Sequence, residues 1–192
     1  LFDEAGVKPV ASACSIPNQN LHALTTADYI IVTNKVFLEQ AEELAQFHRE
    51  MDGMDCLVVD VDAIYNEFAT GVPDPTAVRD FIRMIYLRSE RRLRYVLLFG
   101  KGTHDYRDIK GQGNNFVPTY EIADNAWYQV ASLCSDDYFG LMDANEGTNC
   151  DGILDLGVGR LPVTLVSQAE DMVRKIKHYA DRSVTRGLWM NH

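Results

Sequence analysis

A histidine and a cysteine that follow two predicted strands could form a catalytic dyad. His104 comes shortly after the apolar run Tyr95–Gly100, and Cys134 stands in a polar segment that ends in Asp136. In a cysteine peptidase a thiolate attacks the substrate carbonyl while a histidine transfers protons. Many chains of this size contain an isolated histidine and cysteine, so a surface histidine and a packed cysteine are the favoured interpretation.

The segment from Asp143 to Asp151 could bind a calcium ion, because it alternates oxygen-bearing side chains around a glycine. Asp143, Asn145 and Asp151 are the candidate ligands. The glutamate that closes a helix-loop-helix calcium site is absent, since Leu154 stands in its place and Asp155 follows. A hairpin turn rich in Asp, Asn and Gly is the favoured interpretation, with structural calcium as the alternative.

Arg160 and the adjacent carboxylates Asp136 and Asp137 each have two interpretations. The carboxylates suit acid and base chemistry, or they serve as turn and capping residues. A guanidinium binds a ligand carboxylate with two parallel hydrogen bonds, or it pairs with a carboxylate of its own chain. For Arg160 we favour an internal ion pair with an aspartate such as Asp136 or Asp155.

Composition excludes several classes of function. The chain has 28 acidic and 18 basic residues, for a net charge of −10, which repels nucleic acid phosphates. No stretch approaches the roughly 20 apolar residues of a membrane helix. The four cysteines are too widely spaced for a zinc site. Gly100-Lys101-Gly102 lacks the spacing of a phosphate-binding loop, so we expect no nucleotide binding and no required cofactor.

Alternating strands and helices predict an α/β fold with a parallel, doubly wound sheet in three layers. Strands are expected at 27–33, 56–61 and 95–100, and helices at 35–51, 61–68 and from Pro75 onward. Asp74 is placed to cap the third helix, whose arginines are expected to face water. Residues 1–26 show no sustained period and predict an irregular lead-in.

The second half is less regular. Short extended segments are predicted at 116–120, 138–142 and 152–160, with the last two forming a hairpin through the 143–151 turn, and a final helix at 167–179. The polar stretch 101–115 after the third strand is expected to be functional or mobile.

Seven segments in consistent order closely resemble the gingipain-type cysteine peptidase family. They are Ala27–Thr33, Leu44–Arg49, Ile64–Phe68, Gly71–Phe81, Tyr95–Gly100, Ser135–Gly140 and Gly159–Pro162. The resemblance implies a caspase-like α/β fold made of two subdomains, of which the first lacks catalytic residues. Structural calcium is common in that family.

The similarity is strongest to the family's sortases of the type IX secretion system, which implies a role in protein export. Such a sortase removes C-terminal sorting signals from secreted cargo and joins the cargo to a surface anchor. Secreted proteins and secretion-system components are the implied partners, and the outer membrane or cell surface is the implied location. No nucleic acid partner is expected.

The family's catalytic histidine and cysteine lie in the second subdomain, beyond the position that matches Trp189. Residues 27–192 are therefore expected to form only the first subdomain, truncated before the catalytic one and inactive alone. His104 and Cys134 do not match the family dyad. The alternatives are a non-catalytic interaction module that uses the 101–115 loop, or part of a general gingipain-like endopeptidase.

Overall fold

The computed structural model describes residues 12–13, 15–106, 108–123, 132–147 and 149–181. The strands are β1 (Tyr29–Thr33), β2 (Cys56–Asp60), β3 (Tyr95–Phe99), β4 (Tyr120–Ala123), β5 (Ser132–Ser135) and β6 (Gly157–Leu161). The α-helices are α1 (Leu38–Asp52), α2 (Val61–Phe68), α3 (Pro75–Arg88) and α4 (Val166–Ala180). Within this part of the chain, no helix is long and apolar enough to cross a bilayer.

Four of the strands form one parallel sheet in the order β2, β1, β3, β6. Alternate residues of each strand face opposite sides, so Ile30 and Val32 enter one core while Ile31 enters the other. Helices α2 and α3 cover the first face, and α1 and α4 cover the second. The predicted three-layer α/β fold is confirmed.

Local signals in the sequence account for several helix boundaries. The Asp74 carboxylate accepts a hydrogen bond of 2.8 Å from the Thr76 backbone N–H, and Pro75 is the first residue of α3. Gly53 ends α1 with a φ of 66°, a left-handed conformation that glycine adopts without steric cost.

The predicted hairpin between 138–142 and 152–160 does not form. Residues Asp137–Gly140 make a short 3₁₀ helix, and β6 begins only at Gly157, where it pairs in parallel with β3. Tertiary packing explains the difference: Phe139 is completely buried, and the Tyr138 ring stacks on Tyr120 at a centroid distance of 3.7 Å. Of the predicted segment 116–120, only Tyr120 is in a strand, at the start of β4.

The arginines of α3 are not simply solvated, contrary to the expectation from the sequence. Arg79 Nε donates to the Leu141 carbonyl at 2.8 Å, and Arg83 Nε donates to the Met142 carbonyl at 2.7 Å. Guanidinium donors therefore fasten the segment after the 3₁₀ helix onto α3. An exposed helix face and a carbonyl-binding face look alike in sequence, because both need polar side chains.

The end of the lead-in is held by Glu67 of α2. Its carboxylate accepts hydrogen bonds from the Leu21 N–H at 2.7 Å, the Gln19 amide at 2.9 Å, and both the backbone N–H and the ring of His22. Burial works to raise the pKa of Glu67, but these donors outweigh it and lower the pKa to about 2.

We predict a pH-dependent contribution of this carboxylate to stability. Because the folded pKa of Glu67 lies below its ordinary value of 4.5, its contribution is complete above pH 4.5 and is lost as pH falls towards 2. The difference in free energy of unfolding between wild type and Glu67→Gln should therefore shrink across this interval in urea titrations. Glu39→Gln, at an exposed position of α1, is the matched control. A constant difference for Glu67→Gln would contradict the assignment.

Candidate functional site

The carboxyl ends of β3 and β6 meet a long loop and the segment after β5. In open parallel sheets this edge is where ligands usually bind. The two ends of the loop that begins at Lys101 lie side by side, because the Phe116 N–H donates to the Lys101 carbonyl at 2.8 Å. Gly102 permits the close approach, because a Cβ there would lie 2.9 Å from the Val117 carbonyl oxygen.

Arg160 joins all of these segments at one point. Its Nε and Nη2 donate to the two carboxylate oxygens of Asp136, both at 2.7 Å. Nη1 donates to the carbonyls of Gly100 and Val117, at 2.8 and 2.9 Å, and Nη2 also donates to Pro118 at 2.8 Å. The predicted ion pair with Asp136 is confirmed, and all five N–H groups of the guanidinium are used.

A polar cavity of about 520 Å³ lies beside this ion pair. His104 and Cys134 both line it, so the structure brings the two candidate residues of the dyad to one cavity. Both residues are exposed, so the packed cysteine favoured from the sequence is wrong, and no hydrogen bond joins the two. The partial burial that remains raises the pKa of the Cys134 thiol, and the charges of Glu121 and Asp136 raise it further. A dyad needs a thiolate, so this environment disfavours a nucleophilic Cys134.

Asp136 and Asp137 are not equivalent. Asp136 accepts from Arg160 and also from the Thr119 hydroxyl at 3.1 Å, which commits both of its oxygens to structure. Asp137 is exposed and begins the 3₁₀ helix. The structural interpretation of Asp136 therefore fits better than acid and base chemistry.

The candidate calcium loop lies over the amino-terminal half of α3. Asp143, Asn145 and Asp151 are all exposed, and Arg79 Nη2 donates to the carbonyls of Asp143 and Glu146. A guanidinium thus takes carbonyl oxygens that a cation could use. One carboxylate oxygen of Glu146 is buried without a hydrogen-bond partner.

The donor set fits a calcium ion only in part. The side-chain oxygens of Asp143, Asn145 and Asp151 and the unpartnered Glu146 oxygen could act as ligands, but the carbonyls of Asp143 and Glu146 are already bound by Arg79. Within the described residues, no group of three or more His, Cys, Asp or Glu side chains is placed to hold a metal ion.

A second cavity, of about 930 Å³, was not identified from the sequence. We call it the carboxyl-edge groove. It lies between the start of α3, the 101–119 loop and β4. The groove is lined by Asn34, Val72–Thr76, Tyr106, Asp108, Gly113, Asn115, Phe116 and Thr119–Glu121. The proline-containing segment Val72–Thr76 and the long loop are far apart in the sequence, and only the fold shows that they are neighbours.

Comparison with known proteins identifies the family. The family model described as peptidase family C25 matches residues 22–192. The chain belongs to peptidase family C25, the gingipain family of cysteine peptidases. The caspase-like fold expected of a gingipain-type subdomain agrees with the four-stranded parallel sheet and its flanking helices.

A solved structure extends this C25 assignment. The chain is similar to PorU of Porphyromonas gingivalis, in a crystal structure titled as dimeric latent PorU, with 34% sequence identity and a TM-score of 0.79. The match covers 92% of this chain and 18% of that protein, so the chain spans about a fifth of PorU. A search of curated proteins found no match.

We predict that Arg160→Lys destabilises the fold by about 2–4 kcal/mol, because one ammonium cannot satisfy five acceptors and leaves buried carbonyls and a carboxylate without donors. Arg174→Lys is the matched control, since Arg174 is 75% exposed in its pair with Asp171 and an exposed pair contributes little. Chemical denaturation measures both variants. Equal losses in free energy of unfolding would show that the hydrogen bonds of Arg160 stabilise the fold no more than an exposed ion pair does.

Proposed function

We propose that this chain is the first, non-catalytic subdomain of a type IX secretion sortase. The observation that carries the proposal is the similarity to PorU at 34% identity over 92% of the chain. In such a protein the chain supplies a rigid carboxyl edge next to the catalytic subdomain. The chemistry belongs to residues outside it.

The proposed activity of the whole protein is transfer of cargo to a surface anchor. A thiolate attacks the peptide bond before the C-terminal sorting signal, forming a thioester and releasing the signal. An amine on the anchor then attacks the thioester, so the thiol is regenerated and the cargo carries a new amide bond. The outer membrane or cell surface is the proposed location, with secreted cargo and secretion components as partners.

Two features of this chain support a scaffold role. Asp136 is committed to Arg160, and the Cys134 thiol has a raised pKa in an acidic setting. Neither group has the environment of a catalytic acid or nucleophile. A general endopeptidase of the same family is the second candidate. In a sortase an amine attacks the thioester, whereas in an endopeptidase water hydrolyses it.

The first test uses the complete polypeptide that contains this chain, with a reporter that ends in a sorting signal. We expect signal release and an amide-linked product when an amine acceptor is present, detected by mass spectrometry. Hydrolysed product alone would support the endopeptidase instead. The 192-residue chain should show no thiol-dependent turnover. Turnover by this chain that Cys134→Ala abolishes would overturn the scaffold role.

Calcium binding by the 143–151 loop stays a prediction, and chelation tests it. A bound ion that stabilises the folded state raises the melting temperature, so its removal by EDTA should lower it. We expect added calcium to restore the value, and Asp151→Asn to abolish the response. Asp171→Asn, on the exposed face of α4, is the control. An unchanged melting temperature on chelation would rule out the calcium site. The Arg79 guanidinium would then be the positive charge that holds the loop.

A further inference from the structure

The carboxyl-edge groove runs along one side of β4. Consecutive residues of a strand point to opposite faces, so a groove lined by both Tyr120 and Glu121 follows the strand's edge rather than one face. The described residues of β5 do not line this groove. The groove therefore lies on the side of β4 that faces away from β5.

This side of β4 has no partner strand among the described residues. β4 pairs with β5 alone, with Glu121 opposite Cys134 and Ile122 opposite Leu133. Along any strand, every second residue directs its N–H and C=O towards a given side. Of the consecutive residues Glu121 and Ile122, one therefore presents its N–H and C=O on the outer edge, where an extended polypeptide could add a strand.

Apolar and aromatic side chains line the groove beside this edge. Val72 is 59% exposed and Tyr106 is 45% exposed, and Pro73 and Phe116 extend the apolar wall. Phe116 is fixed in place by Phe37, with ring centroids 4.9 Å apart. Strand addition supplies affinity through the main chain, and pockets of this kind select alternate side chains of the bound segment.

The charge of the groove selects the kind of polypeptide. Asp74, Asp108 and Glu121 line it, and none of the described lining residues is basic. Asp74 and Asp108 each accept one backbone N–H, from Thr76 and Gly113, which fixes both carboxylates at the groove. A negative groove in a chain of net charge −10 attracts cationic segments and repels acidic ones.

We propose that the carboxyl-edge groove binds an extended, basic segment of the polypeptide substrate by adding it as a strand to the outer edge of β4. The assignment of this segment to the substrate rests on the proposed function. The groove then acts as a docking site, and it holds cargo while the second subdomain cleaves it.

Peptide binding to the chain tests the groove directly. The probes are fluorescent eight-residue peptides of alternating lysine and valine, or of alternating glutamate and valine, measured by anisotropy. We expect the basic peptide to bind about tenfold more tightly than the acidic one. Equal affinities, or binding of neither peptide, would overturn the proposal.

Backbone methylation distinguishes strand addition from simple charge attraction. Two further basic peptides carry N-methyl groups on every lysine or on every valine, so each lacks the N–H donors of one edge. Strand addition uses only one edge of the peptide, so one of the two should lose about tenfold more affinity than the other. Equal losses would show that the main chain does not pair with β4.

A matched pair of charge reversals locates the site. Glu121→Lys should weaken binding of the basic peptide by about fivefold, because it reverses a charge on the groove wall. Glu170→Lys makes the same change at an exposed position of α4, outside the groove, and should leave affinity unchanged. Equal effects would indicate attraction by net charge alone.

The complete polypeptide separates this inference from the proposed function. There, Glu121→Lys should raise the KM for a basic substrate about fivefold and leave kcat unchanged, since it affects binding and not the reacting groups. If the complete polypeptide cleaves nothing while this chain still binds the basic peptide, the peptidase proposal is wrong, but peptide binding by the groove is supported. Cleavage with an unchanged KM in Glu121→Lys would disprove the docking role of the groove and leave the peptidase proposal intact.

Discussion

The buried guanidinium of Arg160 is the constraint on which the carboxyl edge of the sheet depends. Its side chain is only 13% exposed, so each donor must find an acceptor within the protein. Those acceptors come from the end of β3, the end of the long loop and the segment after β5. None of the three can shift without stranding a charged donor. The segments that Arg160 holds together line both the polar cavity and the carboxyl-edge groove.

Arginine plays a comparable part on the other side of the first core. Arg79 and Arg83 reach from α3 to the carbonyls of residues 141–146, where the backbone has no regular partner. Arg79 also lies over the Tyr138 ring, 5.2 Å from its centroid, and Tyr138 in turn stacks on Tyr120. Irregular backbone near the site is therefore ordered by cations from a helix, which connects the candidate calcium loop to the base of β4.

Local sequence patterns were sufficient for the first half of the fold and for α4, and insufficient for the segments between β3 and β6. Strands β1 to β3 are apolar except for the terminal Thr33 and Asp60, because both sheet faces are covered. The Asp74 cap marks the start of α3 without any knowledge of tertiary structure. Tyr138 and Phe139 resemble a strand locally, yet burial against distant rings makes them a 3₁₀ turn. The Arg160 pair was predictable because a strand-end guanidinium needs a carboxylate. The groove was not, since its walls come from segments far apart in the chain.

The hydrogen bonds of Arg160 Nη1 have a consequence for how this domain can evolve. Because Gly100 and Val117 bind the same nitrogen, residues 101–116 form a ring that is closed at its base. Insertions or deletions within a ring of this kind leave the sheet register untouched, while they reshape the rim that borders both cavities. Relatives can thus differ in what they recognise through changes in loop length alone, on an unaltered scaffold.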